Sequence, residues 1–145
     1  MDKIPATLGG AIGSEPTWLV AWLVLLVGTI FTSILFFAYK KDDGWGFRWE
    51  PLAIIGCFFV SGTIMEYMYG QFGYVRLLGL AHIIGWAPIY GWLAFKRKVI
   101  GFSSVWGKYV HLYLLIAGLS LVVDALDTVR YVIGDNGSLY LRWNT

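Results

Sequence analysis

One cysteine, four prolines and a charged fraction of only 14% set the first limits on this 145-residue chain. With Cys57 alone, no internal disulfide and no thiolate metal cluster can form. Cys57 lies inside an apolar run, where a packed, inert thiol is expected. The formal net charge of +2 is small, and no basic stripe with interleaved aromatics appears, so nucleic acid is not an expected partner. Neither a nucleophile elbow, a P-loop nor a dinucleotide fingerprint is present. A cleavable signal is also missing: the first residues lack a basic region leading into a short apolar stretch with a small-residue cleavage site. The first long apolar run, from Thr17, is therefore expected to act as an uncleaved anchor. The chain shows no internal repeat and no low-complexity stretch.

What remains is apolar bulk. Hydrophobic residues make up 58% of the chain and the mean hydropathy is +0.66. A soluble fold of this size would be left with large apolar patches facing water. Eight Trp, nine Tyr and nine Phe suit a protein with aromatic belts at both membrane interfaces. Crossing the hydrocarbon takes about 20 mostly apolar helical residues, and four segments qualify: about Thr17–Tyr39, Pro51–Tyr69, Tyr74–Phe95 and Trp106–Ile133. Ser14-Glu15-Pro16 supplies a start signal for the first, and Pro51 is tolerated in the first turn of the second. The expected fold is a single all-α domain over residues 1–145, an integral membrane four-helix bundle. The second and third helices are linked only by the few residues around Gly70-Gln71-Phe72-Gly73, so they should be antiparallel neighbours. The tail from Leu139 to Trp143 reads as a short amphipathic end.

Orientation follows from Lys and Arg in the short loops. Lys40, Lys41 and Arg48 fall in the first loop; Lys96, Arg97 and Lys98, with Lys108 beside them, fall in the third. Both loops should be cytoplasmic, which puts both termini outside.

Ionisable residues inside spans cost about 2.5–3.5 kcal/mol each on insertion scales and are functional suspects by default. Under this topology they gather in the outer half: Glu66 on the second helix, Arg76 and His82 on the third, Asp124, Asp127 and Arg130 on the fourth. On the fourth helix Tyr113, Ala117, Ser120, Asp124, Asp127 and Tyr131 recur at three- and four-residue spacing and share a face. Lipid cannot satisfy such a stripe, so it must point inward or into a wet cavity. Asp124 and Asp127 resist joint ionisation unless a cation or arginine intervenes, and Arg130, three residues past Asp127, is placed to pair with it.

Two readings stay open. In one, Asp124, Asp127, His82 and Glu66 form a catalytic or proton-handling set, with Arg76, Arg130, Tyr131, Trp86 and Ser120 holding a small lipophilic or amphipathic ligand. In the other, the charges are polar glue in a non-catalytic subunit that docks on partner helices or on copies of itself. A proton or ion pathway is a weaker third, because only Tyr113 and His111 extend the stripe inward. His82 and His111 lie at depths about 10 Å apart, which excludes a haem held by both. A site of His82, Glu66, Asp124 and Asp127 would suit a metal chemically, but no short-range ligand motif supports one. No metal or cofactor is expected, and the partners anticipated are lipids, such a ligand, or membrane subunits.

The stretches Gly79-Leu80-Ala81-His82-Ile83-Ile84-Gly85-Trp86-Ala87-Pro88 and Asp124-Ala125-Leu126-Asp127-Thr128-Val129-Arg130-Tyr131-Val132-Ile133-Gly134-Asp135 resemble a pattern in uncharacterised bacterial four-helix inner-membrane proteins. The resemblance covers the last two helices, about half the chain. It implies a bacterial inner membrane and no particular activity. Within the first stretch, Pro88 frees the carbonyl of Ile84, which predicts a kink below His82.

Overall fold

The structure is a computed structural model, which describes residues 7–13, 15–73 and 75–135. The chain is mostly helical, and four helices are long and apolar enough to cross a membrane. A short helix α1 (Leu8–Gly13) precedes α2 (Thr17–Thr32), which continues as a 3-10 turn over Ser33–Phe36. A hairpin of β1 (Ala38–Lys41) and β2 (Gly44–Phe47) leads to α3 (Glu50–Phe72). A second 3-10 turn (Arg76–Leu78) opens α4 (Gly79–Ile100), and α5 (Val105–Val132) follows. The expected amphipathic tail over Leu139–Trp143 lies outside the described residues.

Local chemistry sets these limits. Helix α2 is apolar apart from its threonines, and Thr29 and Thr32 turn their hydroxyls back onto the carbonyls of Leu25 and Gly28, 2.8 and 2.6 Å away. That is how a hydroxyl is satisfied where water is absent. The sequence placed the end of this span at Tyr39; the helix instead tightens at Ser33 and the backbone is extended from Ala38. The hairpin pairs Tyr39 with Gly46 and Lys40 with Trp45 across an Asp42-Asp43 turn. Arg48 fixes it to the helices: its guanidinium donates to the Phe36 carbonyl at 3.1 Å and sits 4.1 Å over the Tyr39 ring. Helix α3 stops at Gly73 and α4 at Gly101, both with positive φ (75° and 68°), the left-handed conformation glycine adopts without strain. Helix α5 starts at Ser104, whose hydroxyl accepts the Gly107 N–H at 3.0 Å. Pro88 lies within α4, which continues through it.

Helix α4 packs broadly on both α3 and α5. Glycine permits the close approaches: a Cβ on Gly85 would stand 2.7 Å from Ser61 Cβ, and Ser61 donates to the Ala81 carbonyl at 3.1 Å. On the other flank the Tyr90 hydroxyl, over Gly118, donates to the Leu114 carbonyl at 3.0 Å. Ile54, Ile89, Leu93, Val110 and Tyr113 fill the larger core. Helix α2 joins more thinly, on α5 and on α3: the Tyr109 hydroxyl donates to the Thr29 carbonyl at 2.7 Å, beside Leu26 and Ile30, and Phe31 packs edge-on to Phe58 and Phe59. A smaller core docks α1, with Leu8 and Ala11 against Met68, Tyr69, Leu78 and Ala81.

Candidate functional site

At the end of the molecule where Gly73 turns the chain, three polar rungs climb one face of α5. The outermost belongs to Arg76, which the 3-10 turn holds beside α5. Its Nη1 donates to Asp127 Oδ1, and its Nε donates to Asp135 Oδ2 at 2.9 Å. The Arg76 side chain is 12% exposed, against 25% for Asp127 and 34% for Asp135. One turn further in, His82 Nδ1 meets Asp124 Oδ2 at 3.0 Å. A carboxylate in its ionised form can only accept, and Nδ1 is the donor in that form of the pair. Gly79 makes this rung fit, since a Cβ at that position would lie 3.0 Å from Asp124 Cα and Oδ1. The third rung is Ser120, whose Oγ accepts from Trp22 Nε1 at 3.0 Å and ties α2 to the stripe.

Two further side chains shape the site. Trp86 stacks on His82, with ring centroids 4.5 Å apart and planes 20° apart; its indole N–H is buried and has no hydrogen-bond partner among the described residues. Glu15, half-buried between α1 and α2, feels Asp127 across the gap. Burial first, and the Asp127 charge second, push its carboxyl up from 4.5 to about 7. Four carboxylates (Glu15, Asp124, Asp127, Asp135) therefore gather around one guanidinium and one imidazole.

Of the residues the sequence grouped, Arg76 meets Asp127, and His82 meets Asp124 and Trp86, while Ser120 meets Trp22. Tyr131 is half-buried one turn beyond Asp127. Two expectations are corrected. Arg130 does not take Asp127: it is exposed, and Arg76 holds that carboxylate, because a guanidinium gripping two acids between helices outcompetes a neighbour on a wet flank. Glu66 does not join the cluster either; it is exposed on α3, beside Phe59 and Leu8. Glu15 and Asp135 are members that sequence reasoning missed. Their signal was position: each stands just beyond the end of an apolar run, level with Asp127.

No three His, Cys, Asp or Glu among the described residues converge as metal ligands would. His111 donates from Nδ1 to the Gly107 carbonyl at 2.7 Å and stacks on Phe102 at 3.8 Å, a packing role far along α5 from His82. Two shallow depressions lie away from the rungs. One, of about 350 Å3, runs between α2 and α5 beside Gly28, Thr29 and Tyr109. The other, of about 300 Å3, is the groove that contains Glu66. Compared with protein-family models, with curated proteins and with solved structures, the chain matches none.

Proposed function

We propose that the protein is a non-catalytic subunit of a larger assembly in a bacterial inner membrane. Its four spans run antiparallel to their neighbours, with both termini on the periplasmic side. The polar rungs set the depth at which α4 and α5 meet. One observation carries this reading: the charged side chains on the α4–α5 seam engage one another, Arg76 with two carboxylates and His82 with a third. Buried polar pairs of this kind specify alignment better than they add stability. The basic residues concentrated on the hairpin and on the α4–α5 loop support the orientation.

The test is purification of the full chain from its native membrane in mild detergent, with subunit stoichiometry read by native mass spectrometry. The reading expects a heterologous membrane subunit at a fixed ratio through two successive purification steps. A protein that runs alone, or only with copies of itself, would refute the hetero-complex.

A second reading has its own observation. Trp86, whose indole N–H has no partner among the described residues, stacks on His82, and His82 in turn meets the Asp124 carboxylate through Nδ1. Donor, acceptor and acid side by side suit a small amphipathic ligand or acid–base chemistry on one. Asp124→Asn would then abolish ligand retention, and unchanged retention removes Asp124 from that role.

A further inference from the structure

Glu66, like Arg130, stands outside the polar network. It lies on α3 six residues before Phe72, so about 9 Å in from the helix end at 1.5 Å per residue. Its side chain is exposed on the face away from α4 and has neither an ion pair nor a hydrogen bond among the described residues. The nearest hydroxyl on its face, Thr63 Oγ1, is already committed to the Phe59 carbonyl at 2.9 Å. In a membrane this position points toward lipid, where a carboxylate needs a counter-charge.

The surroundings indicate what supplies it. Glu66 lies in the groove of about 300 Å3 that Leu8 of α1 closes on one side and Gly62 deepens on the other, with open space where a Gly62 side chain would be. Phe58 and Phe59 line the far end. They pack edge-on to each other at 5.5 Å and to Phe31 of α2 at 5.4 and 6.2 Å, which fixes the rings in place. From Glu66 to Phe59 the groove spans about 10 Å, two turns of helix. Carboxylate at one end and aromatic surface at the other match one kind of occupant: a cation for the acid, with an apolar body for the rings.

We propose that this groove binds a small lipophilic monocation, an amine or quaternary onium ion with an aromatic or branched apolar body. A zwitterionic phospholipid fits poorly, because its phosphate would be brought close to Glu66 along with its ammonium. A basic residue on a partner helix would answer the charge, but a helix needs a longer trough than two turns. The site goes beyond the subunit reading and stands or falls without it.

Tetraphenylphosphonium is the probe, titrated onto the purified full-length protein in zwitterionic nanodiscs. Saturable binding at one site per chain is expected. Glu66→Gln should weaken it about tenfold or more, the loss of one charge-assisted contact. Gly62→Leu keeps the carboxylate but fills the groove, and should weaken binding as much. Asp43→Asn, which removes the same formal charge from the exposed hairpin turn, should leave it unchanged. The proposal is overturned by affinity within twofold of the parent in both groove variants, or by tetraphenylborate, the anionic isostere, binding as tightly. It is equally overturned if Glu66→Gln releases a co-purifying subunit or a phospholipid while probe binding persists.

Discussion

Replacing Arg76 with leucine tests whether the outermost rung holds the helices together. The change removes one guanidinium and leaves Asp127 and Asp135 facing each other, with Glu15 nearby. Breaking a fully buried pair by deleting one partner costs about 3–5 kcal/mol, whereas an exposed pair is worth about 0–1. Arg76 is close to the buried limit and its acids are a quarter to a third exposed, which places the loss at about 2–3 kcal/mol, roughly a 30- to 150-fold change in the folded ratio. Cys57 offers a built-in reporter: it is the sole cysteine, half-buried in α3, so its alkylation tracks opening of the helices. The assay is a titration from mild detergent into dodecyl sulfate, followed by tryptophan fluorescence and by Cys57 labelling. Adding Asp127→Asn to Arg76→Leu should recover a large part of the loss, because the stranded carboxylate is gone. A parent-like midpoint for Arg76→Leu, within about 0.5 kcal/mol, or strictly additive losses in the double variant, would contradict the account of a guanidinium clamping two acids.

Two further substitutions use the same titration. Glu15 is held at about 7 in the folded protein against its ordinary 4.5, so folding is favoured fully below 4.5 and that share is lost as pH rises through 7. Glu15→Gln should match the parent at pH 4 and exceed it at pH 8 by about 1 kcal/mol, once solvent screening of this half-exposed group is allowed for; a constant difference at both pH values would refute the assignment. Gly85→Ala puts a methyl 2.7 Å from Ser61 Cβ and 2.9 Å from its Cα, so backbone must move and the loss should be about 1–3 kcal/mol, eased by adding Ser61→Gly. A neutral Gly85→Ala would show that α3 and α4 do not approach so closely.

The spans were legible because apolar runs this long, in so short a chain, have more surface than a soluble core could cover, and α5 came out within a residue at each end. The first span was overrun because Ala38 and Tyr39 look apolar, whereas strand pairing to Phe47 and Gly46 is a relation between segments that no local window contains. The α5 stripe was legible from its spacing, and so was the level along α5 that His82 and Arg76 reach. The choice of partner was not: Arg130 is three residues from Asp127, while Arg76 is fifty-one away and reaches it only after the chain has turned. Glu66 was misplaced because depth was read without direction. Ser61 faces α4, and five residues at 100° each carry Glu66 about 140° around from it, onto the opposite side of α3. Glu15 and Asp135 escaped notice because charges outside apolar runs are ordinary, and only tertiary closure makes them neighbours of Asp127.

Two hydrogen bonds tie α2 to α5, from Trp22 Nε1 to the Ser120 hydroxyl and from the Tyr109 hydroxyl to the Thr29 carbonyl, while its 3-10 end meets α3 through Ser33 and the Pro51 carbonyl. Helix α2 therefore takes two of its polar contacts from a helix that follows it late in the sequence. Until α5 arrives, Trp22 and the Thr29 carbonyl lack those partners, so a chain halted after α4 would hold a tight α3–α4 pair with α2 kept against α3 by Phe31, Phe58, Phe59 and the Ser33–Pro51 hydrogen bond.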